Sequence, residues 1–396
     1  MSDPIHHHPG ASVQVKGWCP GAVRPMAASD GLVVRIRPPA GRLRMEQAQG
    51  VAALAQRWAH PVLELTNRAN LQLRGVAPAR HAQVLSVLRE LGLVDADAAA
   101  EARRNVQVQP LWIEGDVTPG LARRLGELLA ATDAPALPAK FGFAVDTGAV
   151  PCLRDNPADI RLERHADGVL VHADGADAGV VVSPEAAPTC ALALARWFLS
   201  AGGAPEGRGR MAALLGRRAL PAEWRQTPVS AVAAPAPGPG PQAAGLLVGL
   251  AFGLLPADAL AALGACGALR LTPWRSVLVE GAEPVPRRAE FITDPGDARL
   301  RVAACTGAPG CEQARGPTRE LATALAPLVP SGQVLHVSGC PKGCAHPKAA
   351  ITVVVARDGH HFIRFGTAAS APDHQGLDLP TLEHLLKQYT AHAAHV

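Results

Sequence analysis

The sequence is poor in aromatic residues, which make up 4% of its 396 residues and include a single tyrosine. So few rings leave little material for the stacking platforms on which proteins bind single-stranded nucleic acid. A strong excess of one charge is also missing: the 38 basic residues are scattered among 34 acidic ones, and the net charge is only +4. This pattern is typical of a solvated surface, so nucleic-acid binding is not expected.

Long apolar segments are absent as well. The longest apolar run, residues 243–255, is too short to span a bilayer and is followed by Pro256. The first residues, MSDPIHHHPGASVQ, contain no apolar core of a secretory signal. These absences predict a cytoplasmic protein without a membrane partner, in which His6–His8 belong to a tail rather than to a metal site.

Half of the eight cysteines fall in one short segment that is rich in glycine and proline. Cys305 and Cys311 enclose five residues in CTGAPGC, and Cys340 and Cys344 enclose three residues in CPKGC. The proline and glycine of the second pair disfavour a helix, so a tight loop with inward-facing backbone N–H groups is expected there. Four thiolates surrounded by such donors are typical of an iron–sulfur cluster.

Three other interpretations of these cysteines remain open. A structural zinc site normally has two to four residues between paired ligands, and the gap in the first pair is longer. Two disulfides would need an oxidising compartment, which nothing in the sequence indicates. Four unrelated buried cysteines are the third possibility. Outside the two pairs, Cys19 is interpreted as a small packing residue, and the remaining cysteines show no paired spacing.

A strand, a helix and two further strands are predicted twice in the chain. Residues 30–76 contain GLVVRIRPP, the helical MEQAQGVAALAQRWA and the strand-like VLELTNRANLQLRGV, and residues 243–290 repeat this order. When the copies are aligned, Thr66 matches Thr272, and a glycine follows nine residues later in both. Because the period is very long, the repeat indicates a pseudo-twofold duplication rather than a solenoid.

Each of these half-repeats is followed by a larger segment that mixes strands and helices. Residues 77–226 and residues 291–396 are predicted to form two α/β core units. The Ala/Pro/Gly-rich residues 227–242 are predicted to link the two halves, and residues 1–29 are predicted to form an N-terminal segment.

The first core unit lacks the paired cysteines. Gln109 stands near the position of Cys305, and Ala144 or its neighbours stand near the position of Cys340. One half of the chain is therefore expected to carry the metal centre, and the other half is expected to carry ligand contacts.

The cysteine segments show a specific family resemblance. VSGCPKGCAHP and CTGAPGCEQA resemble the cluster motif of the precorrin-3B synthases, the monooxygenase branch of the sirohaem-dependent sulfite and nitrite reductase superfamily. WCPGAVRPMAASDGLVVRIRP and LELTNRANLQLRGV resemble the same family, so the likeness spans nearly the whole chain. The resemblance implies an α+β fold, a pseudo-twofold duplicated nitrite/sulfite reductase fold with ferredoxin-like half-repeats and two α/β core units.

The resemblance also implies substrate-binding residues in the first half. LTNRANLQLRG resembles the T-x-R-Q element of the family, ARRNV its Arg-Asn element and LPAKF its L-P-x-K-F element. The residues that match are Arg68, Arg104, Asn105 and Lys140. They are expected to position substrate carboxylates, because a guanidinium grips a carboxylate with two hydrogen bonds.

Two positions depart from the family pattern. Ala69 replaces the glutamine of T-x-R-Q, and Gly142 replaces a second lysine of the reductases. Reduction of sulfite or nitrite needs several cations around a small anion, so the loss of one weakens that function and favours a substrate with many carboxylates. Weaker candidates for contact with the same substrate are Arg35, Arg37, Arg74, Asn67 and Gln72. His346, which follows the second cysteine pair, is expected to be structural.

The resemblance implies an oxidoreductase that hydroxylates precorrin-3A at C20 with O2 and lactone formation, in aerobic cobalamin biosynthesis. The four paired cysteines would hold a [4Fe–4S] cluster, and a mononuclear non-haem iron would accompany it. Neither a catalytic residue nor a ligand of that iron is predicted. No G-x-G-x-x-G element follows a strand, so NADH is expected to act through a separate electron-donating reductase.

Two other functions remain open. A sirohaem-dependent sulfite or nitrite reductase would share the cysteine motif and would bind sirohaem, which its visible spectrum would show. A non-catalytic electron carrier would also hold a cluster, but the arginines of the cluster-free half argue against it.

Overall fold

The computed structural model of the protein describes residues 19–393, so the predicted tail at His6–His8 lies outside the described residues. The described chain forms two compact units, one of residues 19–300 and one that begins at residue 301. Both units mix helices and strands, which confirms the predicted α+β class. Among residues 19–393, no helix is long and apolar enough to cross a membrane.

The elements of the first unit precede residue 301. Its strands are β1 (Met26–Ala28), β2 (Gly31–Ile36), β3 (Arg42–Leu43), β4 (Val62–Leu65), β5 (Leu71–Val76), β6 (Val106–Val108), β7 (Phe143–Asp146), β8 (Ile160–His165), β9 (Gly168–Ala173), β10 (Ala178–Val182), β11 (Thr227–Pro228), β12 (Gly240–Gln242), β13 (Gly245–Leu250), β14 (Leu254–Pro256), β15 (Leu269–Leu271), β16 (Ser276–Glu280) and β17 (Phe291–Ile292). Its α-helices are α1 (Met45–Trp58), α2 (His81–Glu90), α3 (Ala98–Arg103), α4 (Thr118–Ala130), α5 (Ala187–Ser200), α6 (Met211–Leu215) and α7 (Ala257–Cys266).

The second unit is smaller. Its strands are β18 (Val302–Ala304), β19 (Leu335–Ser338), β20 (Ala350–Ala356), β21 (Gly359–Gly366) and β22 (His374–Leu377). Its α-helices are α8 (Arg319–Leu325) and α9 (Leu379–Ala393).

The two half-repeats form two sheets, each of which receives a short strand from the other half-repeat. The first sheet has the order β1-β2-β5-β4-β14, and the second has the order β12-β13-β16-β15-β3, with β17 beside β13. Strand β3 belongs to the first half-repeat and β14 to the second, so the exchange is reciprocal. Helices α1 and α7 pack against each other, and both contribute to one apolar core with the two sheets.

The same backbone turns recur at matched positions of the half-repeats. Ala40 and Phe252, in the turns before the exchanged strands, have φ angles of 52° and 57°. Ala69 and Arg275, in the turns between the last two strands of each copy, have φ angles of 53° and 57°. Residues other than glycine seldom adopt positive φ, so two such matched pairs agree with the predicted duplication.

Helix α1 forms where apolar residues recur at helical spacing. Ala48, Val51, Ala52 and Ala55 are buried along one face of it, as expected of an amphipathic helix. The core that they form supports strands β2 and β5, which carry the arginines described below.

The two core units share one strand order. In the first, the sheet has the order β11-β10-β9-β8-β7-β6, in which β6, β7 and β8 are parallel and the others antiparallel. In the second, the order is β18-β19-β20-β21-β22, again with the first three strands parallel and the others antiparallel. Helix α4 connects β6 to β7, and α8 connects β18 to β19, which is the crossover that parallel neighbours require.

The segment predicted as a linker, residues 227–242, contains no helix. It begins with β11, which pairs with β10, and ends with β12, which pairs with β13. Between these strands the N–H of Ala234 donates to the carbonyl of Pro151 at 2.8 Å. The segment therefore joins the sheet of the first core unit to the sheet of the second half-repeat.

A buried ion pair stabilises the first core unit. Glu163 on β8 is 3% exposed and accepts two hydrogen bonds from the guanidinium of Arg154, at 2.9 and 2.6 Å. His172 on β9 has its Nε2 atom 3.5 Å from the same carboxylate. Burial raises the pKa of Glu163, but hydrogen bonds and charge from His172 and Arg154 outweigh it and bring the pKa to about 2.

Candidate functional site

The cysteine pairs lie at one edge of the sheet in the second unit. Cys305 directly follows β18, and Cys340 lies two residues beyond β19. These strands are parallel neighbours, with Ala304 opposite Val337. Because parallel strands end at the same edge of a sheet, the chain order alone places the first and third cysteines close together.

Hydrogen bonds tie the two cysteine loops together. The N–H of Gly339 donates to the Sγ atom of Cys305 at 3.2 Å, and the N–H of Arg315 donates to the carbonyl of Gly339 at 3.0 Å. The hydroxyl of Thr318 donates to the carbonyl of Cys305 at 2.7 Å. A backbone donor that points at sulfur is the arrangement predicted from the loop composition, and it stabilises a thiolate.

Cys344 lies in an exposed turn, and the other three cysteines act on it electrostatically. Burial raises the pKa of its thiol, Lys342 opposes this, and the charges of Cys340, Cys305 and Cys311 raise the pKa further. The two pairs follow the neighbouring parallel strands β18 and β19, so their loops lie at one edge of the sheet in the second unit. All four thiols are free rather than disulfide-bonded.

The four sulfur atoms do not have the spacing of ligands to a single metal ion. Within residues 19–393, no group of three or more His, Cys, Asp or Glu side chains is close enough to hold a single metal ion. A tetrahedral zinc site would require such a group. In an iron–sulfur cluster the thiolates bind different iron atoms, so its ligands stand further apart, and four free thiols suit it.

A buried histidine lies beneath the second cysteine loop. His336 on β19 is fully buried, and its ring centre is 5.9 Å from that of His346. Gly343, whose φ is +63°, approaches so closely that a Cβ atom there would lie 3.6 Å from Cε1 of His336. Sequence reasoning missed His336, because LHVS reads as an ordinary buried strand.

Gln109 occupies the position in the first core unit that corresponds to Cys305. Each residue follows the first parallel strand of its unit. The N–H of Gln109 donates to the carbonyl of Val145 at 2.9 Å, and the N–H of Cys305 donates to that of Val337 at 3.3 Å. The two valines are therefore structural equivalents.

Counted from these valines, Cys340 corresponds to Gly148. The predicted Ala144 is wrong by four residues and corresponds to His336. The reason is that Val145 follows Gln109 by 36 residues, whereas Val337 follows Cys305 by only 32. An alignment of the two core units without a gap does not detect this difference in length.

Three arginines of the first unit each carry a buried guanidinium nitrogen, and we call this group the arginine pocket: Arg35, Arg37 and Arg68. Arg37 is 7% exposed. Each arginine has one buried nitrogen without a hydrogen bond, namely Nε of Arg35, Nε of Arg37 and Nη1 of Arg68. A buried polar atom without a partner is unfavourable, so the pocket lacks hydrogen-bond acceptors for these three atoms.

The charges of the arginine pocket repel each other. Burial is the largest cause that lowers the pKa of Arg35, the charges of Arg37 and Arg68 add to it while Cys19 opposes them, and the resulting pKa is about 10. Burial also lowers the pKa values of Arg37 and Arg68. Each of these shifts disfavours the charged form, which an anionic ligand would stabilise.

Strand alternation brings two of these arginines together. Arg35 lies on β2 and Arg37 directly follows it, so both face one side, whereas Val34 and Ile36 face the core and are fully buried. Arg35 also donates from Nη2 to Oε1 of Gln72, its neighbour on β5, at 3.0 Å.

The four residues implied by the family motifs differ in their contacts. Arg68 donates from Nη2 to the carbonyl of Lys140 at 3.2 Å, and the Lys140 side chain is exposed. Arg104 binds Asp95 with two hydrogen bonds, at 2.6 and 2.9 Å. Asn105 is buried and donates to a backbone carbonyl at 3.0 Å. Arg68 therefore has an unused buried donor, whereas Arg104 and Asn105 are engaged inside the protein.

Gly142 packs tightly against Asn105 and lies beside Arg68. A Cβ atom at this position would lie 3.0 Å from Nδ2 of Asn105 and 3.5 Å from Nη1 of Arg68. A side chain there would therefore point toward Arg68. The replacement of the family lysine by glycine removes one cation and its volume from this place.

The remaining lower-ranked residues lie elsewhere or are exposed. Arg74 donates to both carboxylate oxygens of Asp30, at 2.8 and 3.1 Å. Asn67 is exposed in the turn before Arg68. The structure thus brings Arg35 and Arg37 to Arg68 and assigns Arg74 to an internal ion pair.

Glu101 anchors the chain segment next to the arginine pocket. Its buried carboxylate accepts hydrogen bonds from three consecutive N–H groups, those of Ala22, Val23 and Arg24. Its carbonyl accepts a hydrogen bond from Nη1 of Arg37. Sequence reasoning missed this residue, because a glutamate on a short helix gives no signal of burial.

Three comparisons with known proteins agree with this architecture. A family model for the nitrite/sulfite reductase ferredoxin-like half domain matches residues 24–91. A curated precorrin-3B synthase from a Sinorhizobium species is 30% identical over an alignment of 417 positions, gaps included, which covers 90% of this chain and 84% of the relative. The solved structure of the NirA protein of Mycobacterium tuberculosis is 17% identical with a TM-score of 0.60, and the match covers 87% of this chain and 77% of that chain. The last likeness shows the fold.

Proposed function

This chain belongs to the precorrin-3B synthase family, within the nitrite/sulfite reductase superfamily, and from this we propose that it hydroxylates precorrin-3A at C20 with O2. A lactone forms in the same reaction, which is a step of aerobic cobalamin biosynthesis. The chain is an oxidoreductase by family membership. The proposed electron source is NADH, acting through a separate reductase in the cytoplasm.

The observation that supports the substrate class is the arginine pocket. Its three guanidinium groups each have a buried nitrogen without a hydrogen bond, and carboxylates on a macrocycle would supply acceptors to all three. Each charge-assisted hydrogen bond of this kind contributes roughly 1.5–3 kcal/mol. Gly142 stands where the reductases carry a second lysine, and the loss of this cation favours a polycarboxylate substrate over a small anion.

The residues of the second unit suit a [4Fe–4S] cluster. Cys305, Cys311, Cys340 and Cys344 would hold it as free thiolates, and the N–H of Gly339 donates to one of these sulfur atoms. The cluster would supply electron transfer from the external donor. The chain itself contributes the burial and the hydrogen bond that tune the cluster potential.

The described side chains do not form a site for the mononuclear non-haem iron. The residues described between positions 19 and 393 include no group of three His, Cys, Asp or Glu side chains at the spacing that one iron requires. The side chains therefore do not fit such a site as they stand, and no step of the reaction is assigned to it.

Anaerobic purification followed by turnover tests the proposed function. We expect four iron and four sulfide per chain, no sirohaem absorbance, and a product one oxygen atom heavier when precorrin-3A, O2 and a reductase with NADH are supplied. A preparation that contains sirohaem and reduces sulfite or nitrite, without oxidising precorrin-3A, would instead support the reductase function.

A further inference from the structure

Residues 140–142, directly before β7, lie against Arg68. Nη2 of Arg68 donates to the carbonyl of Lys140 at 3.2 Å. Nη1, the buried nitrogen without a hydrogen bond, lies 3.5 Å from the place that a Cβ atom would take at Gly142. Because a guanidinium is planar and rigid, the position of the Lys140 carbonyl determines where Nη1 points.

A buried carboxylate holds the same segment of the chain. Asp159, directly before β8, is 1% exposed. Its Oδ2 atom accepts the N–H of Gly142 at 2.9 Å, and its own N–H donates to the carbonyl of Gly142 at 2.7 Å. This reciprocal pair of hydrogen bonds fixes the peptide groups on both sides of Gly142.

Asp159 also ties residues 140–142 to the start of helix α6. Nε of Arg210 donates to both oxygen atoms of the carboxylate, at 2.9 and 3.0 Å, and the N–H of Met211 donates to Oδ1 at 2.8 Å. Together with Gly142, three donors therefore bind the carboxylate. They compensate it for the water that it loses on burial, so it can hold three segments of the chain at one point.

The middle residue of the segment has anchors of its own. The carbonyl of Phe141 accepts a hydrogen bond from Nδ2 of Asn105 at 3.0 Å. The buried ring of Phe141 packs against those of Phe143 and Phe198, with ring centres 5.7 and 4.7 Å apart. Because these contacts do not involve Asp159, we expect the segment to stay folded, although displaced, when the carboxylate is changed.

We propose that Asp159 is a positioning residue of the arginine pocket, which holds residues 140–142 so that Nη1 of Arg68 faces a carboxylate of the substrate. The inference rests on the polycarboxylate substrate class of the proposed function. It adds a residue that the family motifs do not include. Asp159 acts through Arg68 and not on the ligand, because its own oxygen atoms are buried and bound by three donors.

Binding of uroporphyrin, a macrocycle that bears eight carboxylates, tests this assignment in the intact protein. Asparagine has the size of aspartate, but its amide nitrogen is a donor, so Asp159→Asn cannot accept all of these hydrogen bonds. We expect this variant to bind uroporphyrin about 10-fold more weakly, which corresponds to the loss of one charge-assisted hydrogen bond from Arg68. The Kd is measured from the absorbance change of uroporphyrin.

A double-mutant cycle separates positioning from general damage to the fold. If Asp159 acts through Arg68, then Asp159→Asn changes the Kd by less than about 2-fold in a chain that already carries Arg68→Gln. An equal loss of affinity in both backgrounds overturns the inference. Glu163→Gln is the matched control, since Glu163 is also a buried carboxylate of β8 but binds Arg154. It is expected to lose stability and to keep the wild-type Kd.

A further variant does not depend on the folding of Asp159→Asn. Arg68→Lys keeps the positive charge but lacks the planar fork, so the carbonyl of Lys140 no longer sets the direction of a second donor nitrogen. We expect this variant to bind uroporphyrin about 10-fold more weakly. An unchanged Kd overturns the inference, because a charge without a fixed direction would then suffice.

The outcomes distinguish this inference from the proposed function. If the wild type binds uroporphyrin and Arg68→Gln weakens binding, yet Asp159→Asn keeps the wild-type Kd, the role of Asp159 is overturned and the substrate class stands. Absence of any binding to the wild type overturns both.

Discussion

Replacing Arg35 by methionine should stabilise the first unit and weaken anion binding at the same time. Methionine is unbranched and apolar, so it fills the volume of the arginine stem without its charge. The side chain of Arg35 is largely buried, keeps one nitrogen without a hydrogen bond and has no carboxylate partner among the described residues. The substitution therefore removes a charge that the fold itself leaves uncompensated.

The magnitude follows from the contacts of Arg35. Burial and the neighbouring arginines lower its pKa to about 10, which corresponds to roughly 3 kcal/mol by which the folded protein disfavours the charged guanidinium. The methionine variant loses the hydrogen bond to Gln72, which is worth about 1 kcal/mol. The free energy of unfolding should therefore rise by about 1–2 kcal/mol.

Urea unfolding, followed by tryptophan fluorescence, measures this change in the free energy of unfolding for the unit that contains Arg35. Five of the six tryptophans lie within residues 19–300, and Trp18 lies outside the described residues, so the emission of these five reports on the unit that contains Arg35. Sulfate is then added as an anion, and the increase in the unfolding midpoint is compared between the wild type and Arg35→Met. The increase should be smaller in the variant.

Arg74→Met is the matched control. Arg74 lies on the neighbouring strand β5 but binds Asp30 through two hydrogen bonds, so its loss leaves this partly buried carboxylate with only His60, whose Nε2 atom lies 3.7 Å away. This variant should be destabilised and should keep the full sulfate response, which also accounts for the general stabilising effect of sulfate. The reasoning is refuted if Arg35→Met is destabilised by more than 1 kcal/mol and still keeps the full sulfate response.

Three further predictions concern single side chains. Cys340→Ser should lose most of its iron and sulfide in chemical analysis, whereas Cys190→Ser should keep both; full iron content in the first variant would contradict the cluster assignment. Arg104→Met should lower the free energy of unfolding by roughly 3 kcal/mol, because it leaves Asp95 buried and unpaired; a neutral effect in urea unfolding would show that Arg104 is not an anchor. Glu163 has a lowered pKa, so its stabilisation is present above about pH 4.5 and is lost as the pH falls toward its folded pKa of about 2. Glu163→Gln should therefore be less stable by about 3 kcal/mol at pH 7 and should show a flatter pH dependence of unfolding below pH 4.5; an unchanged pH dependence would argue against this ion pair.

The loop positions of the paired cysteines were predictable because their signal is local. Two cysteine pairs with glycine and proline between their members predict loops, and the structure places them at the ends of parallel neighbours β18 and β19. The arginine pocket was only partly predictable. Alternation along β2 indicates that Arg35 and Arg37 share a face, but no pattern shows that Arg74 meets Asp30 while Arg37 lacks an ion-pair partner in the described chain.

The exchanged strands of the half-repeats could not be predicted either. Strand β3 has two residues and β14 has three, and β14 ends in a proline, so neither gives the alternation from which a strand is recognised. Their positions depend on how the two half-repeats pack against each other. The sequence of one half-repeat alone gives no information about that packing. The four-residue error at Ala144 has the same origin, because a difference in segment length is visible only when strands are matched by their hydrogen bonds.

The two core units show that one backbone position serves two different chemistries. Gln109 and Cys305 each follow the first parallel strand and donate an equivalent backbone hydrogen bond. The amide of Gln109 bonds a backbone N–H and a threonine hydroxyl, so its polar groups are used inside the protein. The thiol of Cys305 accepts the N–H of Gly339 and can still bind a metal. Placing a cysteine at position 109 would therefore not create a metal site, since Gly148, the equivalent of Cys340, supplies no second thiol.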